Sequence, residues 1–201
     1  MKIAIIGATG LVGQPLTQEA NDREHEVSTY TRSGSLSGSH PIQLQDTQAI
    51  TEIINNHDAT VITVASRDDY NGAINAHKAL IDAKPTGRLI VVGGAGSLNT
   101  ESGLLFENPN FPAEYLPEAQ AFYAIYQAYL AATDLNWTMV APSPLIAPGV
   151  RTGQYRTELD TIAGDFVSSQ DFAVAIVDEI ENPAFSGKRF TVASTTDNAR
   201  G

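Results

Sequence analysis

Gly7, Gly10 and Gly13 recur at every third residue in the run Gly7-Ala8-Thr9-Gly10-Leu11-Val12-Gly13, directly after the apolar segment Ile3-Ala4-Ile5-Ile6 and ahead of a helical pattern. Between a strand and a helix that spacing has a chemical use. Gly7 permits a tight turn, Gly10 lets backbone N–H groups approach a pyrophosphate, and Gly13 lets the helix pack against the strand. Thr9, Leu11 and Val12 complete the loop. The helix start then offers unpaired N–H groups and the positive end of its dipole to the anion. A plain strand-to-helix turn without a ligand is the alternative use of the same glycines.

The end of the next strand selects among dinucleotides. An Asp or Glu there would hold the ribose 2′-hydroxyl of NAD. The chain instead reads Val27-Ser28-Thr29-Tyr30-Thr31-Arg32. Arg32 would pair with a 2′-phosphate, favouring NADP over NAD; an ordinary exposed arginine is the other reading. Asp46, after a third strand, would receive an adenine amino group or cap the helix that follows. Ala65 and Ser66 close the fourth strand, and Gly93 and Gly94 the fifth, so all four should face the same ligand. Arg67 or Arg151 would meet a ligand phosphate, such as that of FMN, or form surface ion pairs.

Several other chemistries lack their residues. There is no cysteine, which removes disulfides, thiolate catalysis and Cys-ligated metals. His25, His40, His57 and His77 show no metal-ligand spacing, so no metal is expected. Neither a Gly-x-Ser-x-Gly nucleophile turn nor a Walker phosphate loop occurs.

The site residues need a sheet to carry them. Short apolar runs at 2–6, 26–31, 41–44, 59–64, 88–92, 137–140 and 189–192 read as strands, and 11–21, 48–56, 71–84, 117–133 and 169–181 as helices. The alternation predicts an α/β fold of the Rossmann type, doubly wound, with a mostly parallel sheet and helices on both faces. Residues 1–201 are expected to form a single NAD(P)-binding domain, with a small substrate-covering region from the loops around 98–116 and 141–168. The run 33–39, rich in Ser and Gly, reads as a flexible surface loop.

Composition sets outer bounds. With 201 residues, 42% hydrophobic and 17% charged, the chain can bury a sizeable core. A net charge of −11 makes nucleic acid and anionic lipid poor partners. No apolar stretch approaches the roughly 20 residues of a membrane span, and the N-terminal one is too short for a signal-peptide core. A cytoplasmic protein with a small-molecule partner is expected.

Further segments narrow the reading. Val91-Val92-Gly93-Gly94-Ala95-Gly96-Ser97-Leu98, Pro148-Gly149-Val150-Arg151-Thr152-Gly153, Asp171-Phe172-Ala173-Val174-Ala175 and a closing Arg189-Phe190-Thr191-Val192-Ala193 follow the glycine loop and Arg32 in order. Together they resemble the bacterial NADH-flavin reductases, an atypical branch of the short-chain dehydrogenase/reductase superfamily similar to the biliverdin reductase B and flavin reductase group. The resemblance covers nearly the whole chain. It implies an NAD(P)H-dependent reductase acting on a flavin- or quinone-like acceptor, with Pro142 beside the nicotinamide, where a proline-fixed backbone leaves carbonyls for the carboxamide; a rigid turn alone is the other reading of that segment.

One departure bears on mechanism. Most short-chain dehydrogenases carry Tyr-x-x-x-Lys, whose lysine lowers the tyrosine pKa for proton donation. Here no lysine lies between Lys84 and Lys188, and the tyrosines read Tyr123-x-x-x-Gln127 and Tyr126-x-x-x-Leu130. The catalytic acid is therefore unassigned, and a delocalised ring suits the site better than a ketone. Eight of the fifteen aromatics lie between Phe106 and Trp137. Phe122, Tyr126 and Tyr129 have the spacing of a core-facing stripe, which leaves Phe111 and Tyr115 as the substrate candidates. A non-catalytic NADP-binding redox sensor is the alternative to an enzyme.

Overall fold

The computed structural model describes residues 1–34, 36–65 and 67–200, apart from the side chains of Asp197 and Asn198. Ser35, within the expected 33–39 loop, and Ser66, an expected cofactor contact, lie outside the described residues. In chain order the elements are β1 (Lys2–Ile6), α1 (Gly13–Asp22), β2 (Glu26–Thr31), β3 (His40–Pro41), α2 (Thr47–Asn56), β4 (Ala59–Ile62), α3 (Tyr70–Ala83), β5 (Leu89–Val92), β6 (Asn99–Thr100), β7 (Gly103–Leu104), α4 (Leu116–Leu130), β8 (Trp137–Pro142), β9 (Leu145–Ala147), β10 (Tyr155–Leu159), β11 (Phe166–Ser168), α5 (Ser169–Glu181) and β12 (Arg189–Ser194). The main sheet has the order β3-β2-β1-β4-β5-β8-β12-β10. Every pair is parallel except β10 with β12. This is the expected doubly wound α/β fold.

The central strands are apolar on both faces because both faces are covered. Successive side chains alternate between two cores. Ile3 and Ile5 of β1, Val61 of β4, Ile90 of β5 and Val140 of β8 pack with α1 and α5, through Leu16, Phe172 and Ile176. Ile6, Ile62, Val91 and Met139 point the other way, toward Ile50, Leu80 and Tyr129 of α2, α3 and α4. The winding reverses between β1 and β4, which places a crevice at the carboxyl ends of those strands.

The elements depart from the sequence reading in places. The third strand is only His40–Pro41, because Asp46 turns the chain by accepting the Gln43 N–H at 3.0 Å. The fourth ends at Ile62, although the Thr63 N–H still donates to the Ile6 carbonyl of β1 at 2.9 Å. The stretch 141–168 is more than a cover, since its β10 forms an edge of the main sheet. The 98–116 segment holds the small β6–β7 hairpin and two 3-10 turns. Among the described residues no helix is long and apolar enough to cross a membrane.

His77 of α3 is buried, with its Nδ1 3.0 Å from the Tyr129 hydroxyl. Burial pushes its pKa from 6.5 down to about 4. Between those values the unfolded chain binds a proton that the folded one refuses, so stability rises with pH across that window. The contribution is intact above pH 6.5 and is lost as pH falls toward 4, by roughly 3 kcal/mol from this one group. His77→Leu should flatten that part of the stability profile, measured as urea-unfolding free energies across the window. A slope unchanged from wild type would exclude His77 as its source.

Candidate functional site

The glycine loop is built by close approach. Gly7 sits at φ +94, and a Cβ on it would lie 2.5 Å from Thr63 Oγ1. A Cβ on Gly13 would lie 2.1 Å from the Gly7 carbonyl oxygen. Thr63 holds the turn from the neighbouring strand, its hydroxyl donating to the carbonyls of Ile6 and Gly7, both at 3.0 Å. Gly10 differs: its nearest neighbour, Gly7 O, would be an ordinary 3.4 Å from a Cβ. Among the described residues the N–H groups of Leu11 and Val12 meet no acceptor. Gly10 therefore leaves open space above unpaired donors at the start of α1, as an anion cradle requires.

The loop opens onto a cleft of about 1000 Å³ that crosses the carboxyl ends of the strands. Gly7, Thr9, Gly10, Leu11, Val12, Arg32, Ala65, Gly93, Gly94, Pro142, Phe111 and Tyr115 all line it. Gly13 is buried beneath the loop and acts through packing. Two expected residues are not brought there. Asp46 stands outside the cleft; its carboxylate engages the Gln43 N–H and makes no cap bond to α2. Arg151 is drawn onto α1, where Glu19 receives its Nε at 2.5 Å and its Nη2 at 2.8 Å. That pair holds the Glu19 carboxyl below its ordinary pKa, the Arg151 contact being the largest cause.

Charges in the cleft are few. Arg32 lies 3.7 Å from Asp68, with side chains 86% and 92% exposed. A pair that open is worth at most about 1 kcal/mol, so Arg32 can exchange Asp68 for a ligand phosphate. Arg67 donates to Glu118 of α4 at 3.1 Å.

The other end of the cleft is apolar and aromatic. Leu105, Phe111, Tyr115, Ala119, Phe122, Leu145 and Ile146 line it. The glycines after β5 make room for these rings. A Cβ on Gly94 would lie 2.6 Å from Phe122 Cδ2, and one on Gly96 3.0 Å from Phe111 Cζ. Phe122 thus lines the cleft, although its spacing reads as core. The run Gly93-Gly94-Ala95-Gly96 is the signal that could have placed it, since such a run marks close approach to the backbone. Arg189 fixes the same segment, donating to Ser97 Oγ, which donates to Gly94 O, each at 3.0 Å.

No activated acid faces this cleft from α4. That helix turns Glu118, Ala119 and Phe122 toward it. Tyr126 lies under Arg189, 3.9 Å from guanidinium carbon to ring centre, and Tyr129 is packed against His77. Burial, aided by the Asp160 charge, pushes the Tyr126 phenol up to about 12, opposite to the shift that proton donation near neutral pH requires.

The two loop glycines separate folding from binding. Gly10→Val should give a folded protein that no longer binds a dinucleotide, measured by calorimetric titration with NADPH. Gly13→Val should lose stability as well, because its side chain would strike the Gly7 backbone. Undiminished NADPH affinity in folded Gly10→Val would place the dinucleotide elsewhere.

Comparison with known proteins agrees with this geometry. The Bacillus subtilis (strain 168) protein YwnB, itself uncharacterized, is 36% identical over 214 aligned positions, covering 98% of this chain and 100% of that protein. A Streptococcus pneumoniae TIGR4 structure called a "putative NADH-flavin reductase" superposes with a TM-score of 0.84 at 28% identity, covering 97% of this chain and 100% of that one. A Bacteroides thetaiotaomicron structure called a "putative epimerase" gives 0.85 at 29% identity, covering 97% of each. A family model described as NAD(P)H-binding matches residues 7–183, from the first glycine of the loop to just past α5, and the chain belongs to that NAD(P)H-binding family.

Proposed function

We propose that this protein is an NAD(P)H-dependent reductase that prefers NADPH and acts on a flat, delocalised acceptor of the flavin or quinone kind. The observation that carries the reading is one continuous cleft with two unlike ends. One has unpaired N–H groups and Arg32; the other is apolar and aromatic and receives no activated acid from α4. The resemblance to a protein called an NADH-flavin reductase supports it.

Each end has a stated task. The Leu11 and Val12 N–H groups hold the pyrophosphate and Arg32 the 2′-phosphate. Gly93, Gly94 and Pro142 wall the nicotinamide end. A reduced nicotinamide, when bound, supplies hydride. Phe111, Phe122, Tyr115 and Leu145 stack the acceptor and keep water from its face, so that positioning is the main protein contribution. A ring that spreads incoming charge over several heteroatoms takes its proton from water. A ketone or an epimerase substrate needs a placed acid or base, and Tyr126 is turned away from that duty.

Two measurements test the reading. Arg32→Ala should narrow the NADPH-over-NADH gap by weakening NADPH alone, through loss of a charge-assisted bond worth about 1.5–3 kcal/mol. Equal wild-type affinities would remove Arg32 from cofactor selection. Tyr126→Phe should keep its turnover number with a flavin or quinone to within a few-fold, whereas loss of an essential proton donor costs about 10²–10⁴-fold. A hundredfold fall in the folded variant would point to a carbonyl reductase. NADPH binding without turnover on any acceptor would favour the redox sensor.

A further inference from the structure

Among the described residues the acids that line the cleft are Asp68, Asp69 and Glu118, and Glu118 is the one carried by α4 beside the aromatic rings. Glu118 lies in the first turn of α4, its side chain 20% exposed. It follows Pro117, which has no N–H to donate. The start of a helix ordinarily attracts anions. Here that field already holds the helix's own carboxylate. The nearest cation is also engaged, since Arg67 donates its Nε to Glu118 at 3.1 Å. Arg151, the other arginine that could meet an acceptor phosphate, is held on α1 by Glu19.

We propose that Glu118 makes this end of the cleft select against phosphorylated acceptors, so that uncharged flat rings enter in preference to their phosphate esters. This rests on the reductase reading and narrows it. Among the described residues that line the cleft, the cations are Arg32 and Arg67. Arg32 sits at the end of β2, on the dinucleotide side. Arg67 gives Glu118 only its Nε, so a phosphate reaching α4 would have to share that one guanidinium with the carboxylate. The carboxylate, itself 20% exposed, would then face a second anion across a single cation, and that repulsion weakens phosphate binding. A neutral ring leaves the pair intact and needs only the apolar walls.

Riboflavin and FMN, which share one ring system and differ by a phosphate, are the probes. Their binding to the full-length protein in saturating NADP⁺ is read by quenching of flavin fluorescence, and turnover is followed separately by NADPH oxidation. Wild type should bind riboflavin at least about tenfold more tightly than FMN, and Glu118→Gln should reduce that ratio about tenfold while Glu118→Asp keeps most of it. Raised salt should also shrink the wild-type ratio, because the discrimination is between charges. Equal wild-type affinities, a ratio unchanged in Glu118→Gln, or failure of both flavins to bind would overturn the inference. Selective riboflavin binding without turnover would leave it standing and remove the reductase reading. Turnover without discrimination would do the reverse.

Discussion

At Gly7 and Gly13 the chain comes so close to its neighbours that no side chain fits. A Cβ on Gly13 would lie 2.1 Å from the carbonyl oxygen of Gly7, and one on Gly7 2.5 Å from the hydroxyl of Thr63. This contact sets where α1 begins and how near it lies to β1. Consequences run through the molecule. With α1 fixed, Glu19 on its buried side receives Arg23 and Arg151. Arg23 also reaches Asp178 and Glu181 of α5, at 2.7 and 2.8 Å. The second helix of that layer and the segment before β10 are thereby oriented by a turn whose cause is the absence of two side chains, at Gly7 and Gly13.

The buried charges serve this frame and stay out of the cleft. Asp171 of α5 accepts bonds from the Thr152 N–H and hydroxyl, the Gly153 N–H and Ser194 Oγ. Glu179 pairs with Arg88 at 2.6 Å and accepts the N–H groups of Ala184 and Phe185. Each is satisfied several times over, as a buried carboxylate must be. Removing one partner from such a group costs far more than the pair contributes. The Pro-Gly-x-Arg-Thr-Gly segment belongs to this frame as well. Gly149 is required because a Cβ there would lie 2.1 Å from the Ala199 carbonyl oxygen, and Arg151 faces α1. Its distinctive sequence records packing.

What was legible in the sequence follows from how local the cause is. The glycine loop, Arg32 and the central strands depend on neighbours a few residues away or on continuous apolar runs, and they stand where the sequence puts them. Strand β10 was missed because it is an edge: Arg156, Glu158 and Leu159 face solvent, and charge is how edges avoid false pairing. Arg151 takes the ion pair that was one of its two readings, with a partner 132 residues away; its charge is visible in the sequence, its direction is not. Phe122 fell on a helical stripe shared with Tyr126 and Tyr129. Only the glycines of the neighbouring turn separate it from them.

The division between frame and cleft bears on the proposed chemistry. A site that must protonate an alkoxide needs an acid held at a defined place and pKa, and so needs a buried polar network reaching the reacting atoms. The network here points elsewhere. Arg189, paired with Asp160, donates to Ser97 and lies against Tyr126, behind the glycine turn. They stiffen the wall without delivering a proton through it. At the apolar end, Tyr115 and Leu145 are about half exposed, at 55% and 49%. Exposed apolar side chains gathered at a cleft are a cost to the free protein that an apolar ligand relieves. Binding of a flat ring would bury them and exclude water from the face of the ring while its edge stays wet. In the proposed reaction that arrangement would keep proton supply with the solvent and leave the protein to hold two rings in contact.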